Sequence, residues 1–154
     1  MKPTKENTLY LTIKQKYFDE IVAGTKMEEY REIKDTTYKK YLECAENGAP
    51  YFYTDKIDPK DPNSGNIYTW NGGDYPFVPK ASIEYLSLAV GYAKERDTAI
   101  VEVEDMTFEP MQNKMGKPAR FKDEDGFASI DDNGDLCFWN VVFHLGKVIE
   151  VHRK

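Results

Sequence analysis

Residues 8–31 read TLYLTIKQKYFDEIVAGTKMEEYR, the stretch with the clearest periodic pattern in the chain. Leu9, Leu11 and Ile13 alternate with polar or aromatic neighbours, the period of two expected of a strand with one buried face. Thr8–Lys14 is therefore predicted to be the first strand.

A short helix is predicted directly after this strand. Apolar side chains recur there at helical spacing, namely Tyr17, Phe18, Ile21 and Val22. Gly24 stands at the expected C-cap, where glycine adopts a positive φ at little cost. Lys26–Glu32 then returns to an extended pattern. Thr37–Glu46 predicts a second helix, with these side chains facing inward: Tyr38, Tyr41 and Leu42.

The rest of the chain combines a loop with further strand signals. Residues 54–82 contain four prolines and three glycines, so a long loop is predicted there. Strand signals return in three stretches: Tyr85–Ala93, Thr98–Phe108 and residues 135–151. Gly146 is expected to divide the last stretch into two strands, and Asn133-Gly134 predicts a hairpin turn. This order predicts an α+β fold, a small mixed β-barrel with two or more short helices and a long loop.

Length and composition limit the classes of protein that fit. The 154 residues fit one domain, so residues 1–154 are predicted to form a single domain. No continuous apolar stretch opens the chain, and Cys44 and Cys137 form no CxxC pair, so a cytoplasmic location without a membrane partner is expected. The net charge of −6 disfavours strong non-specific binding to a polyanion. Residues 1–40 nevertheless hold nine Lys/Arg against seven Asp/Glu, so an anion site is expected near the N-terminal quarter.

The charged residues that follow the first helix form the main candidate site. In a regular strand Glu29 and Arg31 lie on the same face, so the carboxylate can hold the guanidinium while its free edge meets a phosphate or a base. Lys26 lies at the turn out of the helix, where the backbone can direct its side chain into the same cleft. The alternative is a solvated strand face with an ion pair worth about 0–1 kcal/mol.

Residues 24–31, GTKMEEYR, match the Gly-x-Lys-x-x-Glu-x-Arg pattern of ASCH domains, and the chain resembles that family over roughly its whole length. The resemblance implies a PUA-like barrel that binds RNA or a modified nucleoside or nucleotide in a cleft formed by Gly24, Lys26, Glu29 and Arg31. No cofactor and no metal are expected. In this interpretation an aromatic side chain from the long loop stacks on the base.

A hydrolase is the alternative that the resemblance implies, acting on RNA or on an acylated nucleoside, with Lys26 and Glu29 as catalytic residues. The amidohydrolases of the family are expected to carry a Thr nucleophile three residues after the Lys, where this chain has Glu29. An enzyme of that kind would need another nucleophile, such as water activated by Glu29 or Glu104. A third alternative is an interaction protein with a vestigial cleft.

Weaker candidates lie elsewhere. Glu102 and Glu104 alternate with valines. Either one of them reaches the cleft as a second carboxylate, or the pair forms the solvated face of an edge strand. The aromatic residues of the loop either form a surface on which a base stacks or pin the loop onto the barrel. They are Tyr68, Trp70, Tyr75 and Phe77. Acidic residues directly follow a cluster of basic residues, so a solvated loop is predicted there. The basic residues are Lys114, Lys117, Arg120 and Lys122. His144 and His152 have no metal-ligand spacing.

Overall fold

The computed structural model describes residues 2–60, 64–68, 75–112, 115–116 and 139–154. Within these ranges the chain is an α+β protein with one five-stranded mixed sheet. The strands are β1 Thr8–Ile13, β2 Glu28–Ile33, β3 Tyr85–Val90, β4 Thr98–Pro110 and β5 Trp139–His152. The helices are α1 Gln15–Ala23 and two 3₁₀ helices, Tyr38–Lys40 and Thr54–Lys56.

The strand order is β1-β3-β4-β5-β2. Strand β1 pairs with β3 in parallel, with Thr8 opposite Tyr85, and β3 pairs with β4 antiparallel, with Tyr85 opposite Glu102. Strands β1 and β2 are the two edges among the described residues, so the sheet is open there and is not closed into the predicted barrel. No helix in the described ranges combines the length and the apolar character needed to cross a bilayer.

The Cα framework divides into two compact units, which are described separately. The first unit comprises Met1–Tyr30, Ala81–Thr107 and Val142–Lys154. The second comprises Arg31–Lys80 and Phe108–Val141. The assignment of residues 1–154 to a single domain stays a prediction.

In the first unit helix α1 packs on strand β3. Phe18 and Ile21 are buried, because residues three apart lie on one face of a helix. Tyr17, which belongs to the apolar residues at helical spacing in the sequence, precedes this face and is 39% exposed. The fully buried side chains of this unit also include Leu86, Leu88, Val101 and Val142.

The core of the second unit is aromatic. Phe77 is fully buried, and its ring centroid lies 4.7 Å from that of Phe108 and 5.5 Å from that of Trp139. Tyr75 stacks on Phe77 at 5.6 Å. The perpendicular rings and the stacked pair are the geometries that aromatic quadrupoles favour. The indole Nε1 of Trp139 is buried and has no hydrogen-bond partner in the described part of the chain.

The predicted helix over Thr37–Glu46 is wrong. Only Tyr38–Lys40 is helical, as a single 3₁₀ turn, and the chain then forms isolated β-bridges from Leu42 to Pro79 and from Cys44 to Pro50. Six of the ten residues in this segment are good helix formers, so pairing with other segments overrides the local helix propensity here.

The predicted break at Gly146 is also wrong, because β5 runs through it from Trp139 to His152. A Cβ at Gly146 would lie 2.9 Å from Cγ of Glu104 and 3.3 Å from Cβ of Glu102. The glycine therefore makes room for side chains of the neighbouring strand instead of ending a strand.

Within the first unit a cluster of charged side chains links residues 153 and 154 to helix α1. Asp97, 7% exposed, accepts hydrogen bonds from the Lys154 backbone N–H at 3.0 Å, Gln15 at 2.9 Å and Arg153 at 2.9 Å. Arg153 also donates to Asp19 at 2.9 Å. These donors, led by the Lys154 amide, lower the pKa of Asp97 from 3.8 to about 2.

Acid is therefore expected to destabilise the first unit through Asp97. Because the folded-state pKa lies below the unfolded value, the stabilisation is complete above about pH 4 and is lost as the pH falls towards about 2. Asp97→Asn should lower the melting temperature at neutral pH and flatten its decline between about pH 4 and pH 2, measured by circular dichroism. The exposed Glu46→Gln is the matched control and should leave the profile unchanged. A variant profile that falls as steeply as that of the wild type would contradict this role.

Candidate functional site

Helix α1 ends in a turn that fixes the start of the candidate site. Gly24 has φ +81°, and its N–H donates to the carbonyl of Ile21, while the Thr25 and Lys26 N–H groups both bond the carbonyl of Glu20. A non-glycine residue is strained at this φ, although a Cβ there would meet no atom within 4 Å. Gly24 thus acts through the backbone, by directing the chain from the helix into β2.

The side chain of Lys26 lies between two tyrosine rings. Its Nζ is 5.2 Å from the ring centroid of Tyr17 on α1 and 5.8 Å from that of Tyr30 on β2. Lys16 Nζ is 5.8 Å from the Tyr17 ring as well. Such cation–π contacts are worth about 0.5–1 kcal/mol at exposed sites. The tyrosines are 39% and 40% exposed, so aromatic surface beside the ammonium group remains open to solvent.

Glu29 is the buried acid of this group, at 6% exposure. Its Oε1 lies 3.9 Å from Lys26 Nζ and accepts a hydrogen bond from the Tyr30 backbone N–H at 3.1 Å. A carboxylate is almost never this buried unless it is paired, and these two contacts are partners of that kind. The structure thus brings Gly24, Lys26 and Glu29 together in the first unit.

Arg31, the fourth residue of the predicted cleft, belongs to the second unit. It is half-buried on β2, and its charge opposes the rise that burial causes in the pKa of Tyr41. Its predicted role in ligand binding stays a prediction.

A row of polar side chains crosses strands β4, β5 and β2 in the first unit. Thr107 Oγ1 lies 2.7 Å from His144 Nε2, and His144 Nδ1 lies 3.7 Å from Glu28 Oε1. The Tyr30 hydroxyl donates to the other carboxylate oxygen of Glu28. The backbone hydrogen bond from Leu145 to Met27, 2.9 Å, lies beside this row. From the sequence, His144 was a candidate only for metal binding, because the separation of these residues along the chain hides their proximity.

The second unit contains a cavity of about 320 Å³ lined by Tyr53, Asp55, Lys56 and Tyr75. Tyr75 also packs on Phe108, 4.9 Å between ring centroids. The Tyr68 hydroxyl donates to Asp35 at 2.8 Å, and burial, followed by this bond, raises the pKa of Tyr68. These contacts favour the alternative in which the loop aromatics pin the loop onto its own unit.

Several other predictions lie outside the described residues. They concern Cys137, Trp70, the Asn133-Gly134 turn and the four basic residues Lys114, Lys117, Arg120 and Lys122. Of the two strand carboxylates, Glu104 packs against Gly146, as described above. The described part of the chain contains no group of three or more His, Cys, Asp or Glu side chains placed to hold a metal ion.

Comparisons with known proteins identify no relative of this chain. The chain matches no family model, and no curated protein and no solved structure is significantly similar to it. The geometry of the residues themselves is therefore the basis for a functional proposal.

Proposed function

We propose that the chain is an RNA- or nucleotide-binding protein of the ASCH type, in the PUA-like superfamily, whose ligand contacts the surface around Lys26. The observation that carries this proposal is the position of the Lys26 ammonium group between the half-exposed rings of Tyr17 and Tyr30. The proposed family rests on the order of strand, helix, Gly24 turn and extended segment that matches the motif.

Tyr17, Lys26 and Tyr30, named here the Lys26 platform, supply the two contacts that single-stranded nucleic acids need. Aromatic rings stack on bases without regard to sequence, and a lysine neutralises a phosphate. Lys16, also beside the Tyr17 ring, adds a second positive charge. Glu29 offsets the charge of Lys26, so Lys16 supplies the positive charge that remains at the platform for an anionic ligand, on a chain whose net charge is −6.

Buried Glu29 has a positioning role in this proposal. Its carboxylate lies 3.9 Å from Lys26 Nζ and holds the ammonium group close to strand β2. An ammonium group held in place loses less side-chain entropy when a phosphate binds. Arg31 is proposed as a further phosphate or base contact on the strength of the motif alone.

Substitutions on the platform should weaken RNA binding. Tyr17→Leu is expected to cost about 1–3 kcal/mol of binding free energy, the range for loss of one stacked base. Lys26→Gln should weaken binding to every sequence to a similar extent, because a phosphate contact carries no base information. Fluorescence anisotropy with short labelled single-stranded RNAs and with nucleoside monophosphates measures both effects.

Two exposed residues of the same unit provide matched controls. Tyr92 is 86% exposed and Lys94 is also exposed, and neither belongs to the platform. Tyr92→Leu and Lys94→Gln should therefore retain wild-type affinity. Equal losses in platform and control variants, or no binding of either ligand by the wild type, would exclude the proposed function.

A further inference from the structure

The Thr107, His144 and Glu28 side chains form a hydroxyl–imidazole–carboxylate array within the first unit. They come from three strands that are neighbours in the sheet order, β4, β5 and β2. A nucleophile bonded to a base that a third group orients is the arrangement that activates a hydroxyl for acyl transfer. We propose that this array hydrolyses carboxylic esters of aromatic alcohols, an activity that does not depend on nucleic-acid binding.

The contacts favour the tautomer that such chemistry needs. The Glu28 carboxylate faces His144 Nδ1 and so favours a proton on that nitrogen, which leaves Nε2 as an acceptor. Thr107 Oγ1, 2.7 Å from Nε2, then donates its proton towards the imidazole. The separation between Glu28 Oε1 and His144 Nδ1, 3.7 Å, exceeds a hydrogen bond and has to shorten in the complex with substrate.

The site is open enough to admit a substrate. The side chain of His144 is 35% exposed and that of Glu28 is 43% exposed. Thr107 lies on β4 between Met106 and Phe108, which are both buried, and its own side chain faces the opposite, more exposed side of the strand. The half-exposed Tyr30 ring beside Glu28 offers an aromatic alcohol a surface to stack on.

The reaction proceeds in two steps, acylation of Thr107 and hydrolysis of the acyl group. Thr107 Oγ1 attacks the ester carbonyl carbon as His144 Nε2 takes its proton. The bond to the aromatic alcohol then breaks, and the departing oxygen receives that proton, which leaves an acyl group on Thr107. Water attacks the acyl carbon in the second step and gives a proton to His144. The Thr107 oxygen leaves with that proton, and the carboxylic acid is released.

Hydrolysis of 4-nitrophenyl acetate tests this proposal, and the release of 4-nitrophenolate measures its rate. Thr107→Val and His144→Gln should each lower kcat by about a hundredfold or more, the contribution expected of general base catalysis. Thr107→Ser keeps the hydroxyl and should recover much of the activity that Thr107→Val loses. Glu28→Gln should lower kcat while KM stays constant, because Glu28 positions the imidazole and does not touch the ester.

His152 provides a matched control for the intrinsic reactivity of an imidazole. It pairs with Glu150 at 2.7 Å, and no hydroxyl bonds its ring within the described residues. His152→Gln should therefore keep the wild-type rate. Peptide mass spectrometry should find the acetyl group on Thr107 in the wild type, a result independent of how well any variant folds. An acetyl group on another residue, equal losses in His144→Gln and His152→Gln, or a wild-type rate no higher than that of free imidazole would overturn the proposal.

Discussion

Phe77→Ala is expected to lower the free energy of unfolding by about 3–5 kcal/mol, the range for truncation of a fully buried aromatic side chain. The Phe77 ring has no solvent exposure and contacts the rings of Tyr75, Phe108 and Trp139. Alanine would leave a cavity among three large rings that cannot all move to fill it. Urea denaturation followed by far-UV circular dichroism measures the loss.

Two variants separate the cavity from other causes. Phe77→Leu keeps most of the apolar volume and should cost clearly less than Phe77→Ala. Tyr53→Ala removes a ring of the same unit that is 39% exposed and 6.5 Å from Tyr75, so its cost should be small. If Phe77→Ala costs no more than Tyr53→Ala, the aromatic cluster is not the core of the second unit.

Phe18→Ala is the corresponding change in the first unit, with an expected loss of about 3–5 kcal/mol. Phe18 is a fully buried residue of helix α1, which packs on β3. The Arg153 guanidinium carbon lies 5.0 Å from its ring centroid, so the truncation also removes a cation–π contact. The same urea titration measures the effect.

Helix α1 also carries Tyr17 and ends at the Gly24 turn before Lys26, so its attachment supports the Lys26 platform. Phe18→Leu should cost less than about 1.5 kcal/mol if the ring acts mainly by filling volume. Tyr10→Ala, at a site 64% exposed, should cost little and serves as the control. A loss below about 1 kcal/mol in Phe18→Ala would contradict the assignment of Phe18 to the core.

The sequence predicted those elements in which local signals and burial agree. Strand β1 was predicted as Thr8–Lys14 and is observed at Thr8–Ile13, because one face of an alternating strand is buried. Gly24 was predicted as the C-cap and has the positive φ that this role requires. Strands β3 and β4 begin at their predicted first residues, and their ends differ from the predicted ends by three and two residues.

The errors arose where tertiary packing overrides a local pattern. In place of the predicted Thr37–Glu46 helix, the segment forms bridges to Pro79 and Pro50, and Gly146 allows the close approach of Glu104 inside a continuous strand. Neither effect can be read from neighbouring residues in the chain.

The candidate site shows the same division. Proximity of Lys26 and Glu29 follows from a separation of three residues at a turn, and the motif directed attention to both. The contact between the Tyr30 ring and the Lys26 ammonium group was not predicted, because side-chain alternation in β2 does not determine the direction of the Lys26 side chain. The pairing of Thr107 with His144 spans 37 residues and depends on strand order, which the sequence pattern did not supply.

The salt dependence of RNA affinity tests the central claim, that Lys26 meets a phosphate on the Lys26 platform, most directly. For single strands the slope of log K against log salt concentration changes by about 0.7 for each phosphate contact. The slope for Lys26→Gln should therefore be shallower than that of the wild type by about 0.7, while Lys94→Gln should match the wild type. Identical slopes for all three proteins would contradict the claim that Lys26 binds the RNA backbone.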